Sequence, residues 1–184
     1  MKTHLLISLR MTVVLVAITC GIYPLVVFGV AQLAFQHQAN GSFLERDGHV
    51  IGSALIGQSF TSDRFFHSRP SASDYDATAS GGTNLGPTSK KLRDAVASAV
   101  TSFDAHTNVP ADAVTSSASG LDPHISPGNA NAQAARVARA NGVAVQQIRA
   151  LIARATEARF LGLFGEPRIN VLRLNLAVLE MKRR

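Results

Sequence analysis

The sequence predicts an α+β protein: one N-terminal transmembrane helix followed by a compact exported α+β domain. The chain has 184 residues, of which 46% are hydrophobic, and the apolar residues are concentrated in residues 11–35, which carry no formal charge. The remaining residues, 36–184, are numerous enough for one compact core. Within them a hairpin-turn signal is followed by segments with helical spacing of apolar residues, which indicates mixed secondary structure.

Residues 11–35 are long enough to cross a bilayer as one helix. At about 1.5 Å per residue they extend roughly 37 Å, compared with a hydrocarbon core of about 30 Å. The alternative is a cleaved signal peptide, but the apolar region of such a peptide has only about 7–15 residues. Residues 31–34 also lack the small-x-small spacing of a cleavage site. We therefore expect an uncleaved anchor. Thr12, Thr19 and Tyr23 could face a partner helix, but isolated hydroxyls in a span usually bond their own backbone.

The charges that flank this segment predict its orientation. Lys2 and Arg10 precede it, whereas residues 36–44 contain neither Lys nor Arg. Because positively charged flanks stay in the cytoplasm, residues 1–10 are expected to be cytoplasmic. Residues 36–184 are then expected to form an extracytoplasmic domain, so that the chain crosses the membrane once.

The expected domain begins with a β-hairpin. Asp47-Gly48 is a strong hairpin-turn signal, and it separates two predicted strands, residues 42–45 and 49–60. The apolar residues expected to be buried by these strands are Val50, Ile51, Leu55, Ile56 and Phe60. Residues 61–87 follow as a long loop rich in Gly, Pro, Ser and Asp, and loops of this length are usually functional or disordered.

Helices are predicted for most of the remaining chain. Thr88 or Ser89 can cap a helix whose apolar face is Leu92, Val96, Val100 and Phe103. After a Pro- and Gly-containing break at residues 108–128, residues 129–141 should be helical and end at Gly142. An amphipathic helix should follow over residues 145–155. For residues 168–180 we expect a short strand that passes into a final helix.

Charge is distributed unevenly along the expected domain. Residues 37–130 have a net charge of −3 and residues 131–184 a net charge of +7. A basic segment can bind nucleic acid or an anionic lipid surface. However, the arginines are spaced through Ala-rich helices, which favours a solvated helix face and no nucleic-acid partner. These arginines are Arg136, Arg139, Arg149, Arg154 and Arg159.

The sequence contains no recognisable catalytic or metal-binding pattern. The single Cys excludes an intramolecular disulfide, and five histidines lack paired metal-ligand spacing: His37, His49, His67, His106 and His124. Residues 81–88 have the glycine spacing of a phosphate-binding loop, but Pro87 replaces its lysine. Thr88 occupies the nucleophile position of an apparent Ser-x-x-Lys pattern. An accessory subunit therefore fits this sequence better than an enzyme.

Several separated segments resemble one known family. The segments are residues 57–60 (GQSF), 65–72 (FFHSRPSA), 74–77 (DYDA), 80–87 (SGGTNLGP), 119–127 (SGLDPHISP), 136–138 (RVA) and 165–177 (GEPRINVLRLNLA), with Ala130, Gln133 and Ala140. Together with the single N-terminal span they resemble the C chain (KdpC family) of the bacterial potassium-transporting Kdp ATPase. The resemblance covers nearly the whole chain.

The resemblance implies a non-catalytic subunit of an ATP-driven, high-affinity potassium import complex in the inner membrane. Its partners would be a channel-like A chain, a P-type ATPase B chain, a small F chain and the lipid bilayer. The family role usually assigned is that of a catalytic chaperone, which raises the ATP affinity of the B chain. The resemblance implies no firmly bound cofactor, and ATP would be shared with the B chain.

Gln133 best matches the glutamine that the family is proposed to use for nucleotide contact. ATP is cytosolic, whereas the flanking charges place Gln133 outside, and moving a folded domain across a bilayer during turnover is not physically reasonable. The predicted topology therefore favours assembly and stabilisation of the complex over the direct nucleotide contact that the resemblance implies. An independent membrane-anchored envelope binding module remains as the alternative.

The same segments supply candidate interface residues: Arg69, Pro70, Asp74, Tyr75, Asp76, Gly81, Gly82, Asn84, Leu85, Gly86, Asp122, Pro123, Asn170 and Asn175. The net charge of −3 over residues 37–130 motivates a further hypothesis. These loops would lie over the outer ion entrance of the A chain and favour cations weakly, with Asp74 and Asp76 contributing. Turn formation is the simpler role for both aspartates.

Overall fold

The structure is a computed structural model, and it describes residues 2–103 and 108–181. The chain divides into two compact units, Met1–Ile51 and Gly52–Arg184. An apolar N-terminal helix that could span a membrane is followed by a domain of mixed helices and strands, so the predicted fold class is confirmed.

The N-terminal unit begins with a helix of 33 residues, Lys2–Ala34, which has a mean hydropathy of 2.5. It consists of α1 (Lys2–Val16), a π-helical turn (Ala17–Ile22) and α2 (Tyr23–Ala34). Helical structure thus starts before residue 11, because residues 2–10, apolar and polar alike, continue the same helix. The π turn lies just before Pro24, which has no N–H to donate into the preceding turn.

The hydroxyl groups of Thr12 and Thr19 bond the backbone of the long helix itself, as expected. Thr12 Oγ1 donates to Ser8 O at 2.9 Å, and Thr19 Oγ1 donates to Leu15 O at 2.7 Å. Each hydroxyl is therefore satisfied without a second helix. A short helix, α3 (Gln36–Ala39), follows α2.

The predicted hairpin forms from β1 (Phe43–Arg46) and β2 (His49–Ser53). Asp47 and Gly48 both have positive φ, 52° and 79°, as the tight turn between twisted strands requires. The expectation of a second strand up to residue 60 was wrong, because a turn follows Ser53. The expected burial of two of its residues was also wrong, since Val50 is 57% exposed and Leu55 62% exposed.

Residues 54–89, all within the described part of the chain, form turns and irregular loops, which confirms the predicted loop over residues 61–87. Ser89 then caps α4 (Lys90–Ser102), and its Oγ accepts a hydrogen bond from the Leu92 amide. On the predicted apolar face, Leu92 and Val96 are only partly buried, and Val100 is 39% exposed. A short helix, α5 (Ala111–Val114), precedes the core elements.

The core of the second unit is formed by three helices and a two-stranded sheet. Helix α6 (Pro127–Asn141) ends at Gly142, whose φ of 70° is left-handed, and α7 (Val145–Ala155) follows. Strand β3 (His124–Ile125) pairs antiparallel with β4 (Ile169–Asn170), which passes directly into α8 (Val171–Met181). The predictions of the Gly142 terminus and of the strand-to-helix change are confirmed.

Small and branched side chains fill this core. Ala130, Ala134 and Ala138 lie on the buried face of α6, so α7 can approach it closely. The aromatic ring of Phe66, a loop residue, is completely buried among them. The other buried members are Ile125, Val137, Ile148, Ile152, Ile169, Val171, Leu174 and Val178.

Candidate functional site

Side chains from α6 and α8 hold the backbone of five consecutive loop residues, 63–67, which we call the clamped loop. Every carbonyl of the clamped loop accepts a side-chain hydrogen bond. The pairs are Arg136 Nη1 with Asp63 O (2.9 Å) and Phe65 O (3.1 Å), Asn141 Nδ2 with Arg64 O (2.8 Å), Asn175 Nδ2 with Phe66 O (3.0 Å) and Gln133 Nε2 with His67 O (3.2 Å). Side chains thus replace the neighbouring strand that the loop lacks.

Two of these side chains make reciprocal pairs with the backbone. Asn175 Oδ1 accepts from Phe66 N at 2.7 Å, and Gln133 Oε1 accepts from His67 N at 2.8 Å. Each amide therefore bonds both the N–H and the C=O of one residue, as a β-strand partner does. Asn175 is 2% exposed and Gln133 4% exposed. Buried amides of this kind are stable only when their hydrogen bonds are made.

The amide of Gln133 is fully used inside the domain. Besides its two bonds to His67, its Nε2 donates to Asn129 Oδ1 at 2.8 Å, and its Oε1 accepts from Arg136 Nη2 at 2.7 Å. A primary amide offers two donor hydrogens and two acceptor lone pairs. All four are satisfied by this chain, so a ligand that bonded the same amide would first have to displace one of them.

Arg136 is not part of a solvated helix face, in contrast to the prediction. Its side chain is only 12% exposed, and its guanidinium lies 3.6 Å from the Asp63 carboxylate. The guanidinium also bonds two clamped-loop carbonyls and Gln133, because its planar fork can reach several acceptors at once. Helical spacing in the sequence could not reveal the two carbonyl partners, which lie more than 70 positions earlier in the chain.

The N-terminus of α6 is fixed by a carboxylate that sequence reasoning missed. Asp112 accepts from Ser126 N at 2.7 Å, Ser126 Oγ at 2.9 Å and Asn129 Nδ2 at 3.1 Å. A negative charge at this end of a helix is favourable, and the same bonds orient Asn129 toward Gln133. The available signal was the i,i+4 spacing of Asn129 and Gln133 on the alanine face of the helix.

A second segment, residues 117–121, makes backbone hydrogen bonds to the loops of residues 54–89. Ser117 N donates to Pro70 O at 2.9 Å, Gly81 N donates to Ser119 O at 2.8 Å and Gly57 N donates to Leu121 O at 2.8 Å. The backbones of the two segments lie very close together. A Cβ on Gly57 would lie 2.6 Å from Asp122 O, and one on Gly82 would lie 2.7 Å from Ala118 O. Only glycine fits at these two positions.

An ion pair between Arg69 and Asp122 also connects these loops. Arg69 Nη1 lies 3.3 Å from Asp122 Oδ2, and Asp122 Oδ1 accepts from His124 N at 3.0 Å. Burial raises the pKa of Asp122, but hydrogen bonds from His124 and the charges of His124 and Arg69 outweigh it, so the pKa lies below its usual range. The Asp122 carboxylate is therefore held in its ionised form.

The predicted interface residues in the DYDA segment form a sequence of turns. Asp74 and Tyr75 have positive φ values of 51° and 59°. Tyr75 donates its hydroxyl to Arg69 O at 2.7 Å, and its pKa is raised by burial and by the nearby charge of Asp74. Asp76 Oδ1 accepts from both Thr78 N and Thr78 Oγ1, which lowers its pKa.

The candidate interface residues divide into inward and outward groups. Asn170 is 5% exposed and donates to Ala54 O at 2.7 Å, and Asn175 holds the clamped loop, so both face the interior. Pro123 is also buried, and its carbonyl accepts from Val171 N. Arg69, Pro70, Tyr75, Gly82, Leu85 and Asp122 are partly buried, whereas Asp74, Asp76, Gly81, Asn84 and Gly86 are exposed. The exposed group is the part of this set that a partner could reach.

An open cleft of about 330 Å³ lies beside Gln133, and its lining includes His67, Ser102, Phe103, Arg136 and Arg139. Two arginines in a cleft can attract an anionic group. The pKa of His67 is lowered, first by burial and then by the charge of Arg136, so its imidazole is held neutral. The arginines therefore supply the positive charge of this cleft.

Within residues 2–103 and 108–181, no group of three or more His, Cys, Asp or Glu side chains is arranged to share a metal ion. His106, one of the histidines considered in the sequence, lies outside the described residues.

Comparisons with known proteins agree with the resemblance seen in the sequence. A family model described as "K+-transporting ATPase, c chain" matches residues 5–180. A protein of Mycobacterium bovis is 54% identical over 97% of this chain and 98% of its own length. Proteins of Koribacter versatilis and Gloeobacter violaceus are each 51% identical over 96% of this chain and over 94% and 95% of their own lengths.

All three relatives carry the name potassium-transporting ATPase KdpC subunit. The match extends from the N-terminal helix to the last described helix, so both units of the structure are included. This chain therefore belongs to the KdpC family, the C chains of potassium-transporting ATPases.

Proposed function

We propose that this chain is a non-catalytic subunit that assembles and stabilises a potassium-transporting ATPase complex in the bacterial inner membrane. Family membership supports a role within such a complex over an independent envelope binding module. The proposed partners are the channel-like A chain, the P-type B chain and the F chain, as the sequence resemblance implies. The exported domain would act on ATP use indirectly, through the stability of the complex.

The observation that carries this proposal is the complete engagement of Gln133. Its four amide hydrogen bonds go to His67, Asn129 and Arg136. Asn175 makes the same reciprocal pair with Phe66, the preceding residue of the clamped loop. A shared pattern at two amides favours a common role for both, which is to shape the loops that a partner chain would contact.

The N-terminal helix supports membership of a membrane complex. Its large apolar side chains are exposed within the described chain, for example Leu25 at 71% and Phe28 at 62%. Such a surface is suited to lipid and to packing against transmembrane helices of partner chains. We propose that this helix places the domain next to the partner chains of the complex.

A second candidate is the family role of catalytic chaperone, in which the domain contacts ATP together with the B chain. The cleft beside Gln133 favours it, because Arg136 and Arg139 line the cleft and a phosphate group is anionic. A nucleotide would then replace one of the internal hydrogen bonds of the Gln133 amide and bond the amide atom that this releases. This role also requires the domain to meet cytosolic ATP.

The two candidates differ in what Gln133→Ala does to the purified complex. We would compare it with Asn175→Ala, which removes the equivalent amide from the adjacent loop residue but lies outside the cleft lining. For each variant, co-purification of the A and B chains in mild detergent, the thermal midpoint of the complex and the KM for ATP would be measured. A scaffold role predicts that both variants reduce co-purification and the thermal midpoint alike, with unchanged KM in the complex that survives.

A raised KM for ATP with Gln133→Ala alone would contradict the scaffold role and support nucleotide contact. Orientation is tested separately by a C-terminal fusion to a reporter that is active only in the cytoplasm. We expect no activity from this fusion, because Lys2 and Arg10 should keep the N-terminus inside. Activity there would place the domain, and the cleft, on the side where ATP is found.

A further inference from the structure

We propose that the tip of a hairpin in the second unit, Phe160–Phe164, inserts into the lipid surface and gives the domain a second contact with the membrane. The hairpin is closed by two antiparallel bridges, Glu157 with Arg168 and Phe160 with Phe164. Its tip has the sequence Phe-Leu-Gly-Leu-Phe. This inference rests on the N-terminal anchor and is independent of the proposed assembly role.

The apolar side chains of the tip are directed away from the core. Phe160 is 72% exposed, Leu161 75%, Leu163 77% and Phe164 64%. Contiguous exposed apolar residues on a folded domain mark an interaction site more often than a solvated surface. Outside the N-terminal helix they include the most exposed large apolar residues that the structure describes.

The backbone of the tip also indicates selection for something other than turn formation. Leu161 has a φ of 52° and the following Gly162 a φ of 73°. Asn, Asp or Gly normally occupies the first of two such positions, because their side chains tolerate positive φ. A leucine there strains the backbone and gains no burial within the domain. Strain that persists at an exposed residue points to a function for its side chain.

The backbone hydrogen bonds of the tip are made within the hairpin. Phe160 and Phe164 exchange both N–H···O bonds at 2.9 Å, Leu163 N donates to Phe160 O at 3.1 Å and Gly162 N donates to Arg159 O at 3.0 Å. Groups that enter hydrocarbon must satisfy their backbone internally. Four of the five N–H groups of the tip and the carbonyls of Phe160 and Phe164 are paired in this way before the tip meets any lipid.

Charged residues lie at the base of the hairpin rather than at its tip. Arg159 Nη2 bonds both carboxylate oxygens of Glu166, at 2.9 and 2.7 Å, and Arg168 Nε lies 3.1 Å from Glu157 Oε2. The long arginine stems can keep these charges at the level of the lipid headgroups while the tip is buried. The net charge of +7 over residues 131–184 favours approach to anionic lipid.

The N-terminal helix keeps a bilayer within reach of this hairpin. Helix α2 ends at Ala34 and the second unit begins at Gly52. The connecting chain can extend at most about 65 Å, while a compact domain of this length has a radius of gyration of about 14 Å. Tethering therefore raises the effective concentration of lipid at the hairpin. The tip side chains offer apolar area without hydrogen-bonding groups, which suits lipid better than a specific protein pocket.

The test uses the full chain reconstituted without its partner chains in phosphatidylcholine–phosphatidylglycerol vesicles. An environment-sensitive fluorophore is attached at Leu163→Cys in a Cys20→Ala background and quenched with lipids brominated on their acyl chains. The same fluorophore on the native Cys20, within the spanning helix, reports full lipid exposure. A label at Ala97→Cys, on an exposed position of α4, reports exposure to water.

We expect the residue 163 label to be quenched by brominated lipid nearly as strongly as the Cys20 label, while the residue 97 label is not. Replacing Leu161 and Phe164 together by Asn should remove most of this quenching without lowering the thermal midpoint, because Asn tolerates the positive φ of residue 161 and Phe164 is exposed. The control Leu55→Asn, at another exposed leucine, should leave quenching unchanged. If the residue 163 label stays in water, or becomes shielded only when the A and B chains are added, the proposal is overturned.

Discussion

The side-chain amide of Asn175 forms two hydrogen bonds with the backbone of Phe66, accepting from its N–H at 2.7 Å and donating to its C=O at 3.0 Å. The residues are 109 positions apart, and both are almost fully buried. The amide therefore makes the same pair of hydrogen bonds that a residue in a neighbouring β-strand would make. The same bond pair lets the ring of Phe66 fill the core while its backbone remains satisfied.

Replacing Asn175 by Leu should destabilise the protein strongly. Leucine has the same number of side-chain heavy atoms but cannot form hydrogen bonds, so both polar groups of Phe66 are left buried without partners, at about 1–3 kcal/mol for each group. Thermal and denaturant unfolding of the full chain in detergent would measure the loss. The matched control is Asn131→Leu, because Asn131 is exposed and bonds only Pro127 O of its own helix; it should change stability by less than about 0.5 kcal/mol. Equal effects of the two variants would contradict the role assigned to Asn175.

Gly57 should not tolerate a methyl group. In Gly57→Ala the new Cβ would lie 2.6 Å from the backbone oxygen of Asp122, and backbone cannot move aside as a flexible side chain can. We expect the free energy of unfolding to fall by about 1–3 kcal/mol, as in overpacked interiors. Gly86→Ala is the control, since no atom lies within 4 Å of a Cβ placed there. The two variants would be compared by their unfolding midpoints in denaturant.

Stability should depend on pH through His67. Burial and the charge of Arg136 lower the pKa of His67 in the folded chain, although Asp63 and Ser62 act in the opposite direction. Below its unfolded pKa of about 6.5 the unfolded chain binds the proton first. Stability is therefore complete above pH 6.5 and falls as the pH drops from there toward the folded pKa, by at most about 1.4 kcal/mol per pH unit.

Unfolding of the full chain between pH 7.5 and 5.5 would measure this slope. In His67→Gln the clamped-loop backbone bonds of residue 67 can still form, whereas the titrating ring is absent. The slope in this window should be smaller in that variant. An identical slope in both proteins would show that His67 is not its source.

The acidic turn at Asp74 and Asp76 allows a test of the ion-entrance hypothesis. Replacing both by Asn removes two charges but keeps side-chain oxygens that can accept the turn hydrogen bonds, such as those from Thr78. Within the proposed complex we expect a higher apparent KM for potassium, with a larger increase at low ionic strength because exposed charges are screened by salt. Asp94→Asn, an exposed carboxylate paired with Lys90 on α4, is the control. An unchanged KM would leave turn formation as the role of both aspartates.

Local sequence signals predicted much of the secondary structure. The Asp47-Gly48 turn, the Ser89 cap and the Gly142 terminus each depend on one residue whose backbone or side-chain preference is strong. The change from β4 to α8 was also visible, because alternating Ile169 and Val171 are followed by leucines at helical spacing. These features require only nearby residues, so the sequence contains the information directly.

The clamped loop could not be predicted in this way. Its bonds connect Asp63 to Arg136 and Phe66 to Asn175, and no periodic pattern relates residues so far apart. For the same reason Arg136 was expected on a solvated face, and Leu55 was expected in the core. Burial of an irregular loop depends on which distant side chains satisfy its backbone, and this follows from the tertiary fold alone.

The position of Asn175 near the end of the chain affects the order in which the protein can mature. At about 5–20 residues per second, the ribosome needs roughly 5–20 s after making Phe66 before Asn175 exists. Until then the clamped loop lacks the side chain of Asn175, and the fold of the second unit cannot be completed before α8 is synthesised. A nascent chain that stops before this helix would therefore carry the complete apolar N-terminal helix but lack the side chain that the clamped loop of the second unit needs.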